Sequence, residues 1–180
     1  VRADRPADGL ETAAAWALAL ERRNGPTLLA LSRQTLPVLE RPANFDRDQF
    51  RRGGYVLRDS AAKDAVSLIA TGSEVGLAVA AAAQLELAGL PARVVSMPAP
   101  QLFLAEDAAY QALVLPRGGA RVTLEAGATD YWRRFTGLDG LAIGIDTFGE
   151  SAPLAQLQEH FGFTPARVAA RVAEWRKGGA

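Results

Sequence analysis

The stretch from Ala65 to Pro98, AVSLIATGSEVGLAVAAAAQLELAGLPARVVSMP, decides how the chain is read. Ala65 to Ala70 is a short apolar run bounded by a turn, Thr71-Gly72-Ser73, which is the signature of a buried strand. From about 74 to 88 the period changes. Val75, Ala78, Val79, Ala82 and Leu85 recur at helical spacing, and Gly89 ends the pattern. Arg93 to Met97 is a second apolar run, closed by Pro98. Strand, helix and strand in this order, with strands apolar on both faces, point to a mostly parallel sheet covered on both sides.

The same alternation continues downstream. Arg121–Glu125 and Leu141–Ile145 read as strands, and 105–114, 128–135, 152–160 and 165–177 as helices. Ser151-Ala152-Pro153 and Thr164-Pro165 each place a cap and a proline at a helix start. Upstream, Tyr55–Leu57 is a short strand. The reading is a three-layer α/β/α domain over 55–180 with a mostly parallel sheet of about five strands.

Residues 1–37 form a separate unit. Asp8-Gly9-Leu10-Glu11 resembles a capping box opening a helix over 9–23, with Leu10, Ala14, Trp16, Ala17, Leu18 and Leu20 on a wide apolar face. Asn24-Gly25-Pro26 stops it, and 27–32 follows as a buried strand ending at Ser32-Arg33-Gln34. Residues 38–54 carry Pro42, mixed charge and a Gly-Gly close with no period, so they read as a linker. A helix and strand before a linker suggest the end of another α/β domain. The opening on Val1 rather than Met reads as a piece of a longer polypeptide.

Composition excludes several classes. Twenty basic and twenty acidic residues balance, so no field gathers nucleic acid or an anionic membrane. The absence of cysteine excludes thiolate chemistry and Cys-ligated zinc, and fits the cytoplasm. No apolar run approaches the roughly 18 residues of a membrane span. His160 is the sole histidine and reads as a solvent-facing helix-end residue.

Four features could carry chemistry. Arg33, at the end of a strand, offers a planar fork to phosphate or carboxylate, or an interdomain ion pair. Thr71-Gly72-Ser73 is either an anion-holding turn or a Ser73 cap. Glu125, at a strand tip, is either a general acid or base or a local ion-pair partner. The run Asp130-Tyr131-Trp132-Arg133-Arg134 serves an interface or core packing. Residue pattern alone names no reaction.

The ordered segments RPADGLETAAAW, GPTLLALSRQTLP, GGYVLRD, IATGSEV, ARVVSMPAP, YQALVLP, VTLEAG, FGESAP and FGFTP resemble the C-terminal part of transketolase, over residues 2 to about 173. Deoxyxylulose-phosphate synthase and the beta subunit of the 2-oxoacid dehydrogenases share the fold, but LSRQTLP and FGESAP match transketolase better. The resemblance implies that 1–37 ends the pyrimidine-binding domain and that 55–180 is the whole C-terminal domain. It implies transfer of a two-carbon ketol unit between sugar phosphates by a cytoplasmic homodimer of the pentose phosphate pathway. It further implies thiamine diphosphate and a divalent cation (Mg or Ca) in the complete enzyme. The family's catalytic, cofactor and metal motifs match nothing here, so the chain alone is expected to be inactive and to bind no cofactor. One matched position remains: the arginine of LSRQ, which holds the sugar phosphate in the family, is Arg33.

Overall fold

A computed structural model describes residues 1–43 and 45–178; Asn44 of the expected linker and the last two residues lie outside them. The elements run β1 (Arg2–Asp4), α1 (Gly9–Glu21), β2 (Thr27–Leu29), a 3-10 helix (Arg47–Arg52), β3 (Tyr55–Arg58), β4 (Val66–Ala70), α2 (Glu74–Leu87), β5 (Ala92–Ser96), α3 (Pro100–Ala105), α4 (Ala108–Val114), β6 (Arg121–Leu124), a second 3-10 turn (Asp130–Trp132), α5 (Arg133–Thr136), β7 (Leu141–Ile143), α6 (Leu154–Phe161) and α7 (Pro165–Lys177).

The large sheet has five strands in the order β3-β5-β4-β6-β7. Its β5-β4-β6-β7 run is parallel, and β3 is an antiparallel edge. The strand period of two sorts side chains to opposite faces. Leu68, Ala70 and Val94 join Val75, Ala78, Ala82 and Leu85 of α2 and Val168 and Val172 of α7. Ile69 and Val95 join Phe103 of α3, Tyr110 and Val114 of α4, and Trp132 and Phe135. The expected three-layer α/β/α domain is therefore present.

Local readings differ in instructive places. The expected helix over 105–114 is two helices, because Asp107 starts a new one by accepting from the Tyr110 N–H at 2.8 Å. Ser73 does not cap α2 with its side chain; its hydroxyl donates instead to Glu74 Oε1 at 2.8 Å. Thr164 and Ser151 likewise supply no side-chain cap; Thr164 is the N-cap residue of α7, whereas Pro153 precedes α6.

The amino-terminal unit departs most from expectation. An unexpected strand, β1, pairs in parallel with β2 from Arg2↔Thr27 to Asp4↔Leu29. The 27–32 strand was expected to be buried, yet Leu28 and Leu31 are 56% and 54% exposed. The reason is that no described residue covers those side chains. Helix α1 likewise turns Leu10, Trp16 and Leu20 to solvent and buries Glu11 and Ala15.

A buried polar network holds this unit down. Asp8 Oδ1 accepts from the Glu11 N–H at 3.0 Å, and Glu11 Oε2 accepts from the Ala7 N–H at 2.7 Å. Glu11 Oε1 accepts from the Tyr55 hydroxyl at 2.7 Å and the Ser96 hydroxyl at 2.6 Å. Arg41, in the 38–54 segment, donates to both Asp8 oxygens and to Tyr55. Burial pushes the Glu11 carboxyl up, against the hydrogen bonds it accepts. Burial also pushes Asp8 up, but Arg41 and two backbone N–H groups outweigh it and hold Asp8 below its ordinary value.

Candidate functional site

The sheet order creates a switch point. Chain leaving β4 goes to β5 on one side, and chain leaving β5 crosses to β6 on the other, so the carboxyl ends of β4 and β6 part. Open α/β sheets gather ligands in such a crevice. Here the crevice holds Arg5. Its carbonyl accepts from the Gly72 N–H at 3.0 Å and the Thr71 hydroxyl at 3.1 Å, and its N–H donates to Pro98 O at 2.7 Å. Gly72 sits at φ +57, a conformation that favours glycine at this turn. The Arg5 guanidinium forms an ion pair with Glu125 and reaches Glu74 Oε2 at 3.3 Å.

Two sequence candidates thus meet at one place. Glu125 is buried and faces Arg5, which favours the ion-pair reading over acid–base work. The Thr71-Gly72-Ser73 turn holds a chain carbonyl rather than an anion. Because Ala30 N–H donates to Asp4 O at 2.9 Å, docking of Arg5 also fixes the strand pair that leads to Arg33.

Arg33 itself lies in a bend after β2 and is exposed. The Ser32 hydroxyl accepts from the Gln34 N–H at 3.2 Å and donates to Gln34 Oε1 at 3.1 Å. This local turn places Arg33 at its apex. Among the described residues no carboxylate lies within 4.0 Å of its guanidinium, in contrast to Arg5. Ser32 and Gln34–Leu36 form one wall of a cleft of about 460 Å³. The facing wall is Glu74 and Leu77 of α2, the FGESAP loop at Gly149 and Glu150, and α6 at Leu154, Leu157 and Phe161.

The remaining candidates fall elsewhere. His160 is exposed near the end of α6 beside the Phe161 ring. Trp132 and Phe135 are core, Tyr131 packs partly against them, and Arg133 and Arg134 are exposed. Among the described residues no cluster of three His, Cys, Asp or Glu side chains could hold a metal ion. Ser32 and Gln34, which flank Arg33 in the chain, line the cleft, together with the Glu74 and Glu150 carboxylates. Sequence reading missed Arg5 and Arg41, whose partners lie 69 and 33 residues away. No local pattern marks such pairs.

A family model, the transketolase-like C-terminal domain, matches residues 53–164. The chain is also 60% identical over 166 residues to the plasmid-encoded transketolase of Cupriavidus necator, a match over 92% of this chain and 24% of that protein. The chain belongs to the transketolase family. A solved transketolase of Pichia stipitis, in complex with sedoheptulose 7-phosphate, superposes with a TM-score of 0.88 at 38% identity, over 96% of this chain and 25% of that one. A split-gene transketolase, solved as an inactive beta4 tetramer, superposes with a TM-score of 0.70 at 26% identity, over 96% of this chain and 56% of that one. The chain spans about a quarter of the length of the curated transketolases it matches. Among the described residues no helix is long and apolar enough to cross a membrane.

Proposed function

We propose that this chain is the C-terminal part of a cytoplasmic, homodimeric transketolase, in which residues 1–37 complete the pyrimidine-binding domain and 38–54 link it to the C-terminal domain. The complete enzyme moves a two-carbon ketol unit from a ketose phosphate to an aldose phosphate. Thiamine diphosphate and its divalent cation belong to the rest of that enzyme. Among the described residues no His, Cys, Asp or Glu cluster could hold the cation, and the chain alone is expected to be inactive.

The single observation that carries this reading is the 60% identity over nearly the whole chain. Arg33 is the substrate-binding residue, and its exposed, unneutralised fork at the bend apex supports that role. A guanidinium binds a phosphate dianion bidentately, which a lysine cannot. The contact is made equally in the ground and transition states, so it acts on KM.

In the complete enzyme, Arg33→Ala is expected to cost about 1.5–3 kcal/mol in kcat/KM with phosphorylated acceptors, as for a charged hydrogen bond. Unphosphorylated acceptors should lose little. Equal losses on both would remove Arg33 from the phosphate site.

A second reading is favoured by the split-gene neighbour: a separately encoded, non-catalytic subunit. The coding sequence upstream of Val1 separates the two. A continuous frame carrying a Gly-Asp-Gly…Asn metal–diphosphate motif supports the first, and a start codon directly before Val1 supports the second.

A further inference from the structure

The amino-terminal end of the large sheet, opposite Arg33, carries a cationic cavity. It measures about 500 Å³ and is lined by Arg117, Arg121, Arg134 and Arg176 together with Phe135 and Trp175. Among the described residues, no carboxylate lies within 4.0 Å of any of these four guanidiniums. What sets this place apart is that four guanidiniums converge on one cavity.

Two of the four are held in place. Arg121, at the start of β6, donates to Phe135 O at 3.1 Å and to Leu115 O and Pro116 O at 2.9 Å each. Three of its five N–H groups are used and two remain. Burial holds its pKa below the ordinary value, since carbonyls rather than carboxylates surround it. Arg134 stacks over the Tyr131 ring at 4.3 Å. The cost of ordering these forks is therefore met before any ligand arrives.

Helix ends supply part of the countercharge. The carboxyl ends of α4, α5 and α7 lie at this end of the sheet, each contributing at most roughly half a negative charge. Asp139 also lines the cavity. Together these offset roughly two to three of the four positive charges, so the cavity remains cationic. The preference for arginine over lysine runs through the whole chain, with Lys63 and Lys177 the only lysines. The signal is the convergence of four guanidiniums on one cavity, two of them held in place, not the residue type.

We infer that this cavity binds a small polyphosphate-bearing molecule, at a site separate from Arg33. Cavities of this size hold small ligands, and several guanidiniums around one space suit an anion with more than one phosphate. Trp175 offers an aromatic face beside the forks. The inference does not depend on the transketolase reading.

The test is calorimetric titration of the chain with inorganic tripolyphosphate and with ATP at fixed ionic strength. One saturable site per chain is expected. R117Q/R134Q should weaken it about a hundredfold, about tenfold for each charge-assisted contact removed. Both side chains are exposed, so the variant should keep its fold, checked by an unchanged Tm. Equal affinities identify free polyphosphate as sufficient, and tighter ATP binding identifies a nucleotide seated on Trp175; either supports the site. No saturable binding, equal binding by R117Q/R134Q, or equal binding of sulfate as an adventitious ion only would each overturn it.

Discussion

In the sandwich from β3 to α7, the fully buried side chains include Leu68, Ile69, Leu85, Val94, Phe103 and Leu124. In residues 1–37 the most deeply buried include Asp4, Asp8 and Glu11, while Leu10, Trp16, Leu20, Leu28 and Leu31 face out. The sheet closes its own core because helices cover both faces. One helix and two strands cannot do so, and docking the unit instead uses charge and hydrogen bonds. The same chain thus contains one region that hydrophobic burial stabilises and one that specific polar contacts place.

The largest effect should fall on the first region. Leu68→Ala removes a side chain with no exposed surface at the centre of the sheet. A cost of about 3–4 kcal/mol is expected from transfer and cavity together, read as a shift in the denaturant midpoint for β4 and α1 alike. A loss under about 1 kcal/mol would mean the sheet is not the dominant folding unit.

Glu11→Ala tests the second region. It leaves the Ser96 and Tyr55 hydroxyls and the Ala7 N–H without their shared acceptor. A cost of about 2–3 kcal/mol follows from orphaning buried donors. Amide exchange should accelerate in β1 and α1 while β4 and β5 stay protected. Equal acceleration in all four would show that the two regions unfold as one.

The same residue makes a pH prediction. Burial raises the folded-state pKa of Glu11 above its ordinary 4.5. The native state then holds the extra proton, so Glu11's contribution is fully present below 4.5 and is lost as pH rises through its folded value. Asp8 has the opposite sign: its lowered pKa gives stability above 3.8 that is lost as pH falls through its folded value. Denaturation at pH 4.5 and 7 should show Glu11→Gln gaining stability relative to the parent at the higher pH. A parallel pH response in both would mean that burial does not raise the Glu11 pKa in the folded state.

This contrast also explains what was legible in the sequence. The strand runs around Leu68, Val94 and Val122 carry their burial locally, as apolar stretches bounded by Gly and Pro, so layers and strand order class could be read. Strand β1, three residues with two charges, has no such signature and exists only by pairing with β2. The break between α3 and α4 hides because Asp107 is an ordinary helix-surface residue unless its cap is seen. At the site, the proposed role of Arg33 rests on the LSRQTLP segment. Arg5 and Arg41 were not legible, because their roles depend on carboxylates brought near by topology alone.

Arg5→Gln is a smaller perturbation at the junction of the two regions. Its side chain is about one-third exposed, so solvent screens part of the pairing, and about 1 kcal/mol is expected. The informative readout is placement. In the complete enzyme, KM for phosphorylated acceptors should rise with kcat little changed, because Arg5 fixes the β1–β2 pair that leads to Arg33. If KM stays constant while stability falls, Arg5 is a fastener and does not position the bend.

Arg33→Ala should have the least effect on stability and sharpens the comparison most. Arg33 is exposed and makes no ion pair among the described residues, and the bend beneath it is held by Ser32 and Gln34. Removing its side chain should change unfolding free energy by no more than about 0.5 kcal/mol, as for a surface site without partners. Arg5 and Arg33 would then divide the labour between them: one arginine spends its charge on Glu74 and Glu125, and the other keeps its charge for a ligand. A stability loss above about 1 kcal/mol would show that Arg33 has a structural partner in solution and would count against its phosphate role.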